Sequence, residues 1–258
     1  MIEEPFASGN SIIHRIDPRF RVAVAILVSM EAALLKDFRA MAFALAGSLA
    51  LVFLARLDLF HVLKRLFSLV RFLVFVWLLI PLTYEGQAVY LFGPLAWSRE
   101  GFLLCAQISL KSLAILLFFM ALVSTMGLST LGKSLKALFV PGKLVHLLLM
   151  TYRYIFVIGQ EYDRLETAIK IRGFSPTTTL HSYKTYAYLV AMLFVKASIR
   201  AERVHQAMIL RGFRGRFYSL DAFTPSYRNW IFFIAMMGLF IGTLFLERGS
   251  VWPITIRF

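Results

Sequence analysis

Charge is scarce in this chain. Of 258 residues only 16% are charged, while 59% are hydrophobic and the mean hydropathy is +0.73. Ordinary soluble domains are about 25% charged and about 45–50% apolar. So little polar surface would leave a soluble fold of this length uncovered, and the same numbers exclude disorder, a coiled coil and a small disulfide scaffold. Cysteine is nearly absent as well. With Cys105 alone there is no intramolecular disulfide and no cysteine-based metal cluster. The first 18 residues carry Glu3, Glu4 and Asp17 and lack an apolar core segment, so a cleaved signal peptide is not expected. The solvent this composition calls for is a bilayer.

Apolar residues fall in blocks at about 22–35, 41–55, 66–84, 101–126 and 230–246. The first two are short against the roughly 20 helical residues a bilayer core needs. Lys36, Asp37, Phe38 and Arg39 join them as a tight turn, predicting an antiparallel pair. The runs are too continuous for barrel strands, which leaves helices. Residues 56–65 alternate Leu57, Leu59, Phe60 and Leu63 with Arg56, Asp58, Lys64 and Arg65, an interfacial amphipathic pattern. Residues 85–100, with Tyr90, Phe92 and Trp97, predict an aromatic loop at the outer interface.

Residues 127–227 are helical in pattern yet repeatedly charged. Three helices are expected, at about 130–139, 143–172 and 182–211. Gly173 and Gly212 stand where terminating glycines belong. Each long helix opens apolar and ends polar. The expected architecture is an all-α integral membrane protein: an N-terminal arm with four spans (1–126), a cytoplasmic region of one short and two long helices (127–227), and a fifth span (228–258).

Charge placement supports that layout. The excess of cations, 28 Lys and Arg against 14 Asp and Glu, gives a net charge of +14. Arg15, Arg19 and Arg21, then Arg56, Lys64, Arg65 and Arg71, then fourteen cations in 127–227 fall on one side. Lys36, Arg39, Arg99, Arg248 and Arg257 fall on the other. The positive-inside rule then puts the N-terminus and the long helices in the cytoplasm and the C-terminus outside.

One pattern occurs twice, 39 residues apart. Asp163-Arg164-Leu165, Ala168-Ile169 and Ile171-Arg172-Gly173-Phe174 match Glu202-Arg203-Val204, Ala207-Met208 and Leu210-Arg211-Gly212-Phe213. A C-terminal glycine, an Arg favourable to the helix dipole and an apolar residue explain one such ending as a cap. They do not explain two endings with matching upstream residues. A small Ala168 or Ala207 one turn before an Arg lets a partner approach, and Arg172 or Arg211 can grip a carboxylate in a partner's groove.

These paired endings resemble those of the transmembrane T component of energy-coupling factor transporters, the CbiQ type in particular. Phe6-Ala7-Ser8-Gly9-Asn10-Ser11 and His14-Arg15-Ile16-Asp17-Pro18-Arg19 resemble that family's start, and the similarity covers essentially the whole chain. The family's two coupling helices end in Ala-Arg-Gly, whereas Ile171 and Leu210 stand before the arginines here. The apolar-Arg-Gly-Phe form fits the cobalt and nickel branch. The resemblance implies that Arg172 and Arg211 dock on two ABC-type ATPase subunits and that Gly173 and Gly212 end the helices. It implies no cofactor of the chain's own, ATP being bound by the partners, and no catalysis. It also implies a separate substrate-binding membrane subunit, with or without a small accessory membrane protein, in a prokaryotic cytoplasmic membrane. A T component for a vitamin such as biotin, and a self-sufficient channel or carrier, remain as alternatives.

Other residues weigh less. His14, His61, His146, His181 and His205 are scattered, without metal-ligand spacing, and no metal site is expected. Glu31 and Lys111 lie inside apolar runs, where either an ion pair between two spans would lower the cost of both charges or Lys111 would snorkel towards the interface. Gly127 to Ser134 spells a phosphate-loop pattern but follows a membrane run rather than a strand, so it reads as chance. Nucleic acid is disfavoured as a partner, because the cations lie on helices that begin in membrane-like sequence; lipid is expected.

Overall fold

A computed structural model describes residues 11, 13–83, 88–92, 95–215 and 227–251. Its elements are a 3-10 turn Ile13–Arg15 and helices α1 (Pro18–Leu34), α2 (Phe38–Leu54), α3 (Leu59–Thr83), α4 (Arg99–Leu122), α5 (Leu128–Ala137), α6 (Gly142–Ile171), α7 (Leu180–Leu210) and α8 (Tyr227–Val251). A short antiparallel pair, β1 (Ala88–Phe92) and β2 (Leu95–Ser98), joins α3 to α4 with Tyr90 opposite Trp97. The aromatic loop expected there therefore folds as a hairpin. Its Val, Tyr and Phe residues favour extended backbone.

Local sequence accounts for the helix starts. Asp17 and Asp37 cap α1 and α2 by accepting from the backbone N–H of Arg19 at 3.0 Å and of Arg39 at 3.5 Å. Pro18 adds its fixed φ at the first position of α1. The amphipathic stretch after Arg56 is not a separate turn, since α3 runs unbroken from Leu59 into the apolar block.

The chain forms two compact units, which part between residues 138 and 139 and between 221 and 222. In the larger, α4 packs on α1, α2 and α3, and α8 packs on α1 and α2. Its core includes Val24, Val28, Met41, Leu117, Phe118 and Met236. Small residues (Ala25, Ala40, Ala44, Ala114, Ala121) let these helices approach closely, as membrane helix packing favours. Helix α5 packs on α1 with Gly132 and Ser134 buried and belongs to this unit. The smaller unit is α6 and α7 packed on each other.

Among the described residues four helices are long and apolar enough to cross a membrane: α3, α4 from Glu100, α6, and α8 through Arg248. Apart from the short β1–β2 pair the described elements are helices, and the protein is an all-α membrane protein in class, as composition requires. The span list differs from the five expected. With 17 residues each, α1 and α2 are about 25 Å long at 1.5 Å per residue, under the roughly 30 Å hydrocarbon core. The apolar opening of α6 brings that helix onto the list.

Candidate functional site

Both long helices terminate in the same geometry. In α6, Gly173 takes φ +80°, its N–H donates to Lys170 O at 3.0 Å, and the Phe174 N–H reaches Ile169 O at 3.2 Å. In α7, Gly212 takes φ +77°, with Gly212 N–H to Ile209 O at 2.9 Å and Phe213 N–H to Met208 O at 3.0 Å. This pair of bonds is the Schellman motif, which closes a helix and turns the chain away. The left-handed φ is why both positions are glycine. Arg172 and Arg211 are the last, capping residues, and both side chains are exposed. Ala168 and Ala207 lie one turn earlier on the same stripe and are exposed too.

The structure adds two residues whose weight the sequence pattern did not reveal. Ile171 is 81% exposed and Leu210 is 88% exposed, in equivalent places beside the arginines. A bulky aliphatic residue held in solvent at both ends is an apolar knob next to a charge. Only the cap geometry, which turns both residues outward, exposes this.

Between these ends the unit is braced. Glu161 of α6 accepts from Lys196 of α7 and lies 3.5 Å from Arg164. Phe174 meets Tyr186 edge-on at 5.6 Å, folding the α6 ending back on α7. Thr179 caps α7, accepting from Ser182 N–H at 3.4 Å. A cavity of about 390 Å³ lies between the two helices, lined mainly by apolar side chains such as Leu147, Tyr154, Ile158, Leu193 and Val204.

The expected Glu31–Lys111 pair does not form. Thr243 of α8 donates its hydroxyl to Glu31, and Lys111 Nζ donates to Ala33 O at 2.9 Å. The physical reason is the end of α1 at Leu34. Its last carbonyls have no partner in the helix and carry the negative end of the dipole, so they compete successfully for the cation. Gln107 of α4 likewise donates to Lys36 O at 3.3 Å. A further polar contact was invisible in the sequence, where Arg21 counted only as a loop cation. It is 2% exposed, and its Nη1 donates to Thr125 Oγ1 at 2.9 Å, while Arg65 Nη1 donates to the neighbouring Ser124 at 2.9 Å. Two helices thus grip the corner that leads from α4 into α5.

The phosphate-loop resemblance fails structurally. Gly132, Lys133 and Ser134 lie inside α5 rather than at a helix start, and Ser134 bonds back to Thr130 O at 2.9 Å. Among the described residues no three His, Cys, Asp or Glu side chains gather where they could hold a metal ion.

A helical body with apolar helices of membrane-crossing length, and a second unit of two helices with twin exposed arginine endings, define a multi-helix membrane protein. Comparison with known proteins narrows the class. The chain belongs to the CbiQ family, described as cobalt transport protein, whose profile matches residues 9–220. It is similar to proteins named energy-coupling factor transporter transmembrane protein EcfT. That of Thermosediminibacter oceani is 26% identical over 220 residues, covering 81% of this chain and 83% of the relative. That of Bacillus subtilis is 27% identical over 226 residues, covering 83% and 85%. That of Acidaminococcus fermentans is 27% identical over 262 residues, covering 93% and 94%. The role that fits is the membrane-embedded T component of such a transporter.

Proposed function

We propose that α6 and α7 are coupling helices whose ends, Arg172-Gly173 and Arg211-Gly212, seat in two ABC-type ATPase subunits. Ala168 and Ala207 admit the groove wall. ATP binding and hydrolysis move the grooves, and the helices carry that displacement to a separate substrate-binding membrane subunit, with or without a small accessory membrane protein. A coupling element needs a two-state partner at each end. Here those are the ATPase pair and the substrate subunit. The observation that carries the reading is the duplication. Two helices 30 and 31 residues long end in the same cap with the same exposed arginine.

The topology that serves this role has α1, α2, α3, α4 and α8 as five spans of a prokaryotic cytoplasmic membrane. The N-terminus and the coupling unit are cytoplasmic and the C-terminus is outside. The cargo proposed is cobalt or nickel, in keeping with the family's description. The relatives' names carry no substrate, and a vitamin such as biotin is the other cargo a T component would serve.

The test is co-purification of the full chain with its ATPase subunits, repeated with Arg172→Glu and Arg211→Glu together. A buried charged contact truncated on one side loses about 2–5 kcal/mol, enough to dissolve the complex. Retention of an intact, transporting complex would refute the docking role. Uptake of cobalt, nickel and biotin by cells carrying the whole transporter then identifies the cargo.

A further inference from the structure

The two endings are alike in backbone and unlike in charge. At corresponding positions 39 apart, Glu161 faces Arg200, Glu166 faces His205, and Ser175 faces Arg214. Residues 161–175 carry Glu161, Asp163 and Glu166 against Arg164, Lys170 and Arg172, a formal net charge of zero. Residues 200–214 carry only Glu202 against Arg200, Arg203, Arg211 and Arg214, a net +3.

Ion pairing widens the difference. On α6, Arg164 lies 3.5 Å from Glu161 and Lys170 lies 2.9 Å from Glu166. The Arg172 side chain is the cation left without a hydrogen bond or ion pair near that end, among the described residues. On α7 the acid that would sit one turn below Arg203 is replaced by Arg200, and Glu202 bonds only Gln206, at 3.4 Å. Arg203, Arg211 and Arg214 are all exposed, and none of their side chains has a partner among the described residues. Arg203, Ala207 and Arg211 share one stripe, and Gly215, at φ +73°, turns the chain just after Arg214.

We propose that the two ends fit chemically different grooves. The α7 end fits an acid-rimmed groove of an ATPase subunit, gripped by Arg203, Arg211 and Arg214. The α6 end fits a groove that offers one carboxylate to Arg172, and at both ends the exposed aliphatic neighbour, Ile171 or Leu210, meets an apolar part of its groove. This rests on the docking reading above and adds that the ends are not interchangeable. The α7 end presents three unpaired guanidinium groups to a partner's acids, whereas two of the three cations at the α6 end, Arg164 and Lys170, already have acids on their own helix. Charge pattern of this kind sets which partner goes where, and it makes one contact sensitive to salt.

The experiment is a titration of the full chain, in zwitterionic lipid nanodiscs, with the ATPase subunits of its own host. The Arg172→Ala chain leaves the α7 contact, and the chain with Arg203→Ala, Arg211→Ala and Arg214→Ala together leaves the α6 contact. Between about 50 and about 500 mM NaCl the Debye length falls severalfold, so affinity through α7 should drop about tenfold or more and affinity through α6 less than about twofold. Arg203→Gln with Arg214→Gln, in the Arg172→Ala background, should flatten the α7 response. Equal salt slopes, with both one-ended chains weakened, overturn the asymmetry and leave docking standing. Undiminished affinity in both one-ended chains overturns docking and asymmetry together. A salt response that appears only in nanodiscs of anionic lipid would make lipid the acidic partner and overturn the proposal.

Discussion

Replacing Gly173 and Gly212 by alanine probes the cap apart from everything around it. A Cβ built at either glycine meets nothing within 4 Å, so crowding contributes no penalty. What remains is the left-handed backbone, φ +80° and +77°, which costs an L-residue roughly 1–2 kcal/mol. That energy acts on local opening of the last turn, because the bonds it threatens are those of Gly173, Phe174, Gly212 and Phe213 to Lys170, Ile169, Ile209 and Met208. At 1.36 kcal/mol per factor of ten, each alanine should raise amide exchange at its own helix end about 5- to 30-fold and leave the other end unchanged. Asparagine, which tolerates this region, should lose much less, and valine more. The assay is hydrogen–deuterium exchange of peptides spanning 169–174 and 208–213, with ATPase co-purification alongside. If alanine exchanges like glycine, or asparagine fares as badly as valine, the left-handed φ is not what holds the endings.

Other expectations follow from contacts between helices. Lys111→Met should cost about 0.5–1.5 kcal/mol by removing the bond to the exposed Ala33 carbonyl, and a double-mutant cycle with Glu31→Gln should show coupling near zero, read from thermal unfolding in detergent. Thr125→Val preserves shape but leaves buried Arg21 short of an acceptor, so it should cost about 1.5–3 kcal/mol, while Ser124→Ala, facing the more exposed Arg65 contact, costs less. Lys196→Met removes the exposed bridge to Glu161 and should change global stability by under about 1 kcal/mol. Its effect should appear as faster exchange across the α6–α7 crossing. Ile171→Ser and Leu210→Ser should leave unfolding unchanged, since both side chains stand in solvent, yet weaken ATPase binding, measured by co-purification.

What was legible in advance was what neighbours in the chain decide. The membrane solvent follows from composition. The ends of α6 and α7 fall within a few residues of the expected 143–172 and 182–211, because a C-terminal glycine and its following apolar residue act on the turn just before them. The 39-residue repeat marked both endings, since matching caps need only matching local sequence.

What tertiary structure decided was every contact that depends on how one helix is rotated against another. Periodicity does not say whether Glu31 faces α4 or α8, and it faces Thr243 on α8. It does not say that α1 ends where Lys111 can reach its carbonyl, that Arg21 turns inward to Thr125, or that α5 packs on α1. The charge carried the same divide. The sequence by itself determined that cations crowd the region of the two long helices. Three- and four-residue spacing along α6 is enough to pair Arg164 with Glu161 and Lys170 with Glu166. Only the folded pair shows that Glu161 also takes Lys196 from α7 and that three arginines at the end of α7 stay unpaired among the described residues, because the distance between side chains on two helices is set by how the helices cross.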